Sequence, residues 1–218
     1  MTFSIQYRMH PDISRLPSRV FYQGRLLDGP DMAVKTEQPW HSHPKFGPYR
    51  FFNVTRGQEA STAGHSLKNT MESQVALALY TRLCKEFSKV DFDFRVGIVS
   101  MYRGQVLELQ RAFEQRFGRD IKGKIHFHTV DGFQGQEKDI IILSCVRAGP
   151  GLQSVGFLSG MKYYFVHLYI YIQLMIRRYA ENERRYDSCA FISLHSGPCP
   201  YSRAKRRELA QNRTGRSR

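Results

Sequence analysis

The densest apolar run of the chain, Ile140-Ile141-Ile142-Leu143-Ser144-Cys145, follows directly on a polar, glycine-bearing stretch from His128 to Asp139. A short, bounded run that is hydrophobic on both faces predicts a central strand of a parallel sheet. Upstream, Val96-Gly97-Ile98-Val99 and the stretch from Ile125 to Thr129 read as two further strands. Between them Val106, Leu109, Phe113 and Phe117 lie on one helical face, and Val75, Leu79, Leu83 and Phe87 mark an earlier helix within Met71 to Phe87. Tyr49-Arg50-Phe51-Phe52-Asn53-Val54 predicts another strand, and Pro11 opens a short amphipathic helix carrying Ile13, Leu16, Val20 and Phe21. Phe21 to Pro48, rich in Gly, Pro and Asp, reads as an irregular surface excursion, and Thr55 to Lys68 as loop. Strand, helix, strand in alternation predicts an α/β fold built on an open parallel sheet with right-handed crossovers. Ligands of such sheets sit at the carboxyl ends of the strands. Ser100 to Gln105 falls at one such end, and Thr129 to Gln136 close to another.

With 41% apolar residues in 218, the chain can bury a real core, and nothing in it is collagen-like or low-complexity. Four cysteines (Cys84, Cys145, Cys189, Cys199) follow no metal or disulfide spacing, so a reduced intracellular compartment is the default. The one lipid-like run, Tyr163 to Ile176, is short and interrupted by His167 and Gln173, which argues against a membrane span. A net charge of +14 suggests a polyanionic partner. Half of that charge lies in Arg177 to Arg218, where eleven Lys/Arg stand against four acids, and a basic tail is more often solvated than specific. His41/His43 and His126/His128 share strand faces without a neighbouring carboxylate or thiol, which favours ordinary histidines over metal ligands. Tyr7 and Phe133 suit either of two places, the core as packed aromatics or the surface as ligand contacts.

Four motifs stand in order: Gln6-Tyr7-Arg8-Met9-His10-Pro11; Phe21-Tyr22-x-Gly24-x-Leu26-x-Asp28-Gly29; Val130-Asp131-Gly132-Phe133-Gln134-Gly135-Gln136-Glu137-Lys138-Asp139; and Ser144-Cys145-Val146-Arg147-Ala148. Residues 4 to 159 thereby resemble the second RecA-like motor domain of superfamily 1 helicases, in the branch of senataxin and the nonsense-mediated-decay helicases. The resemblance implies a RecA-like P-loop NTPase fold, an open parallel sheet flanked by helices. It implies ATP and magnesium as cofactors, and single-stranded RNA or DNA as substrate. Arg8 would be the catalytic residue, bracing the terminal phosphates. Gln6, Tyr7, Arg8, Gly135 and Glu137 would form the nucleotide site, with Tyr7 on the adenine and Glu137 on the ribose. Ser100, Tyr102 and Thr129 would hold the backbone of the strand. Met101 departs from the proline common in the family. By the same analogy the protein would be nuclear and would work with RNA-processing or transcription-termination factors.

Neither a phosphate-binding loop nor a magnesium-binding acid after a strand is present, and both belong to a first motor domain. The chain therefore reads as half a motor, inactive alone, with a non-catalytic nucleic-acid-binding or regulatory fragment as the alternative. The family's last motif, of the type Asn-Val-Ala-x-Thr-Arg-Ala-Lys/Arg, is also missing. Residues 182 to 199 can be written in codons that, read one base later, give Met-Asn-Val-Ala-Met-Thr-Arg-Ala-Arg-Ser-Ser, and intron-like signals can be written between Gly160 and Arg178. The expected organisation is thus a truncated motor domain over 1–159 and a non-native basic tail over 160–218, from a retained intron and a frameshift. That tail should lack the final strand and pack nowhere in particular.

Overall fold

The computed structural model describes residues 5–133, 136, 138–147 and 188–194, the last of these as backbone. Its centre is a five-stranded sheet of β3 (Tyr49–Val54), β6 (Val96–Ser100), β7 (His126–Thr129), β8 (Ile140–Ser144) and β9 (Ser188–Leu194), in the order β3-β9-β8-β6-β7. β6 pairs in parallel with β7 and with β8, setting Ser100 opposite both Thr129 and Ser144. Every residue of β6 and of β8 is buried, as two-sided apolar runs require.

The sheet is mixed rather than all parallel. β9 lies antiparallel to both β8 and β3, with Ser144 opposite Ala190 and Val54 opposite Ser188. The expectation that nothing in 160–218 joins the sheet fails at this segment. An open slot between β3 and β8 exposes two rows of backbone donors and acceptors, and the β-prone Cys189-Ala190-Phe191-Ile192 fills it. The rest of 160–218 lies outside the described residues.

Helices α3 (Thr70–Glu86) and α4 (Arg103–Phe117) cover one face. Ala76, Leu79, Tyr80 and Leu83 of α3 meet Val106, Leu109 and Phe113 of α4 over Val96, Ile98, Ile140 and Ile142. Phe117, expected on that stripe, is 37% exposed. The stretch read as a surface excursion is structured and supplies core. It contains β2 (Leu27–Asp28), α2 (Met32–Lys35) and the buried Trp40 and Phe46. Spacing did not reveal them because each is a single anchor without a periodic partner. The expected loop of 55–68 holds a small hairpin, β4 (Ala60–Ser61) and β5 (Leu67–Lys68).

The opposite face is covered by the connection from β7 to β8. α4 carries the chain from β6 to β7 over one face, so a right-handed return from β7 across β6 to β8 must use the other. Among the described residues of that return stands one 3₁₀ turn, Asp131–Phe133, and no α-helix. The return lies flat because β6 presents Gly97 beneath it: a Cβ there would sit 2.9 Å from the Phe133 ring and 3.1 Å from Cγ of Lys138. Phe133 is accordingly core, packed with Val99, Val130, Ile141, Leu143 and Cys145. Gly97→Val forces this packing apart and is expected to cost about 1–3 kcal/mol, read as a lowered urea midpoint at unchanged slope.

Candidate functional site

The first two motifs fold into one clip. β1 (Ile5–Gln6) pairs in parallel with β2, setting Gln6 opposite Asp28. The Gln6 side chain then organises the turn after it. Its Oε1 accepts the N–H groups of Arg8 (2.9 Å) and Met9 (2.7 Å), and its Nε2 donates to the Met9 carbonyl (2.9 Å) and to Oδ1 of Asp28 (2.5 Å). Both ends of the amide are thus engaged within the protein, so Gln6 shapes the Arg8 turn. Asp28 also accepts from the Ser14 hydroxyl (2.6 Å), tying the clip to α1 (Pro11–Phe21), whose N-cap is His10. Gly29 completes the pattern: its N–H donates to the Gln6 carbonyl (2.8 Å), and a Cβ on it would stand 2.2 Å from Cε1 of Tyr7. Tyr7 therefore lies against Gly29 with 66% of its surface exposed, which removes the core-aromatic alternative for it. Arg8 beside it is exposed. A flat ring and a guanidinium held side by side at the surface can stack on a base and meet an anionic oxygen.

A chain of contacts runs from this clip to the sheet. The His10 and His41 rings meet edge to face at 5.8 Å. Next to His41, the fully buried Trp40 carries the Arg95 guanidinium 5.1 Å over its ring. Arg95 in turn bonds Asp139 and, at 3.3 Å, Oε1 of Gln38. Arg95 and Asp139 immediately precede β6 and β8, so the clip sits toward the amino ends of these strands.

The expected strand-contacting residues lie at the opposite edge. Ser100, the last residue of β6, is fully buried; its hydroxyl donates to the Ser144 carbonyl (2.9 Å) and accepts the Tyr102 N–H (3.3 Å). The Tyr102 side chain is 6% exposed. Both are occupied in shaping the end of β6, and neither offers its side chain outward. Thr129 is half-buried, and its Oγ1 accepts the Gly132 N–H at 3.3 Å. Ser66 of the hairpin accepts the Gly104 N–H at 3.0 Å, which closes the hairpin over the start of α4.

The crossover joins the two edges. From Thr129 it descends past His126, whose Nδ1 stands 3.0 Å from Oε1 of Gln136, to Lys138, which donates to the Phe94 carbonyl at 2.8 Å. His126 and His128 face each other at 6.0 Å, and burial, with His126 and Lys138 nearby, lowers the His128 pKa. Gly135 and Glu137, two expected nucleotide contacts, lie outside the described residues. Among the described residues no three His, Cys, Asp or Glu side chains come together. These residues alone do not build a magnesium site.

Behind the carboxyl edge lies a polar cluster that sequence patterning missed. Asn69, Glu72, Gln105 and Ser144 are fully buried among helices and strand ends. Gln105 accepts the Asn69 N–H (2.7 Å) and donates to the Asn69 carbonyl (3.1 Å), to Ser73 (3.1 Å) and to Ser144 (2.8 Å). The available signal was a glutamate and a glutamine on otherwise apolar helix faces.

His41 gives a pH prediction. Burial, with His10 beside it and against a smaller opposing pull from Asp12, pushes its pKa down to about 4. The unfolded chain takes this proton near the ordinary 6.5, so between about 6.5 and about 4 the unfolded state binds more protons. Stability from this group is intact above that window and falls as pH drops through it. Melting temperatures measured down this range should fall more steeply for wild type than for His41→Asn.

The chain matches the family model described as an AAA domain over residues 1–168. It is 46% identical over 160 residues to helicase SEN1 of Saccharomyces cerevisiae, covering 72% of this chain and 7% of that protein. With helicase sen1 of Schizosaccharomyces pombe the figures are 48% over 159 residues, 73% and 9%. With the regulator of nonsense transcripts 1 homolog of Drosophila melanogaster they are 37% over 165 residues, 71% and 13%. The chain thus spans a small part of the length of each of these relatives.

Proposed function

The chain belongs to the AAA-domain family and, with its helicase relatives, to superfamily 1; from that premise we propose that it is the second, carboxyl-terminal RecA-like motor domain of an ATP-dependent helicase. It couples ATP hydrolysis to translocation along single-stranded RNA or DNA and thereby to unwinding. Arg8 meets the terminal phosphates, Tyr7 stacks on the adenine, and Gly135 and Glu137 approach the nucleotide from the crossover. Thr129 meets the strand at the carboxyl edge, while Ser100 and Tyr102 act there by shaping the backbone at the end of β6. The phosphate loop and the magnesium-binding acid come from a first motor domain. ATP supplies the reaction's energy by phosphoryl transfer to water, and the part of this chain is to orient and brace the phosphate chain from the far side of the cleft. Its site of work on this reading is the nucleus, among RNA-processing or transcription-termination factors.

The observation that carries this reading is the Gln6 clip, in which four hydrogen bonds of one surface side chain shape the turn that bears the exposed Tyr7 and Arg8. The reading of 160–218 as retained intron and frameshifted exon stands beside it as a proposal about the transcript. A spliced message without a junction near Gly160 would remove it.

A malachite-green assay on this chain alone, with and without single-stranded RNA, is expected to show no phosphate release. Clear turnover would overturn the half-motor reading. Joined to a motor domain carrying the phosphate loop, and with the missing last motif restored after Ser159, the chain should support turnover. Arg8→Ala should then lower kcat by about 10³ or more, the scale of a lost arginine at the terminal phosphate; an unchanged kcat would remove Arg8 from the site.

A further inference from the structure

The turn that follows β8 adopts a conformation its residue disfavours, and a buried carboxylate keeps it there. Val146 has φ +72°, a left-handed value that β-branched side chains rarely adopt, and it is fully buried. Such backbone persists only where its surroundings over-determine it, and it clusters at functional sites. Here both oxygens of Glu72 accept the Val146 N–H, at 3.1 and 3.0 Å, and Nδ2 of Asn69 donates to the Val146 carbonyl at 3.1 Å. Glu72 also accepts from the Ser144 hydroxyl at 2.5 Å, so the same carboxylate holds the end of β8 and the turn beyond it.

That turn delivers Arg147. Its Nε lies 3.4 Å from a carboxylate oxygen of Glu59, in the loop between β3 and the hairpin. β3 and β8 are both antiparallel to β9, so their carboxyl ends share one edge of the sheet. Thr129 stands at that same edge, opposite Ser100, and exposed Arg103 opens α4 there. The contact is an ion pair, longer than a direct charged hydrogen bond, and a guanidinium that pairs with a carboxylate attracts a phosphate oxygen by the same charge.

We infer that Arg147 is a phosphate-binding residue for single-stranded nucleic acid, and that Asn69 and Glu72 are positioning residues which hold the Val146 turn so that Arg147 reaches the carboxyl edge. Glu59 occupies the guanidinium until a phosphate replaces it. The inference rests on the reading that this edge takes the strand.

The test is anisotropy of a fluorescein-labelled oligouridine with the full chain, titrated from low to moderate salt. Arg147→Gln is expected to weaken binding by about tenfold, the scale of one charged hydrogen bond. It should also reduce the slope of log affinity against log salt by about 0.7, one phosphate contact on a single strand. Glu72→Gln should reproduce both changes, and the double variant should bind no more weakly than either single one, because the two act through one contact. A merely structural Glu72 would leave the salt slope unchanged and give additive losses, which would overturn the positioning role. Should Glu72→Gln fail to fold, Glu59→Gln decides. It should tighten binding in the wild-type background and do nothing in Arg147→Gln; equal effects in both would overturn the inference. Wild type that does not bind the oligomer would overturn the strand-edge reading itself, a result distinct from binding that ignores Arg147.

Discussion

The return from β7 to β8 is the constraint on which the rest of the structure depends. A parallel sheet with β6 between β7 and β8 requires the chain to recross β6, and with α4 on one face the crossing must take the other. A helix, about 10–12 Å across with its side chains, would hold the backbone well off the sheet. Here the connection lies in contact instead, and the missing side chain at Gly97 makes room for Phe133 and Lys138. The loop is therefore a layer of the fold as well as a connection. Among its described residues, Gln136 meets His126 and Lys138 donates to the Phe94 carbonyl, which fixes its path.

This path separates what the linear motif places together. Thr129 lies at the carboxyl edge of the sheet, and Asp139 at the amino edge, tied through Arg95, Trp40 and His41 to the Arg8 clip. On the proposed reading, strand and nucleotide are met at opposite ends of one crossover packed rigidly against β6. Movement of either end is then transmitted by packing, since a close-packed layer has little room to yield. The buried cluster of Asn69, Glu72, Gln105 and Ser144 fixes the other side of the carboxyl edge. Leaving any one of its polar groups without a partner would cost about 1–3 kcal/mol, so its geometry is held as a unit.

Periodicity alone was enough for β3, β6, β8, α3 and α4, because each combines a repeating apolar face with clear breakers. It failed where burial rests on single residues. Trp40 and Phe46 sit in a Gly- and Pro-rich stretch whose composition resembles surface, yet both are core. Gln6 and Ser100 carry the residue types of ligand contacts but spend their side-chain hydrogen bonds inside the protein. A polar side chain near a site is legible in sequence; whether it faces a ligand or the backbone is settled by neighbours far along the chain, such as Asp28 and Ser144.

By itself the sequence determined the α/β class, the two-sided central strand, and the ordered motifs that place the chain among superfamily 1 helicases. The first two follow from local periodicity, and the third is a resemblance carried by the motifs themselves. Only the tertiary structure decided that β9 enters the slot between β3 and β8, that the glycine-bearing stretch is itself the crossover, and that Glu72 holds a turn 74 positions away. Those outcomes depend on unpaired strand edges, on the face left open by α4, and on which buried donors meet which acceptors. None of these quantities exists until the chain has folded.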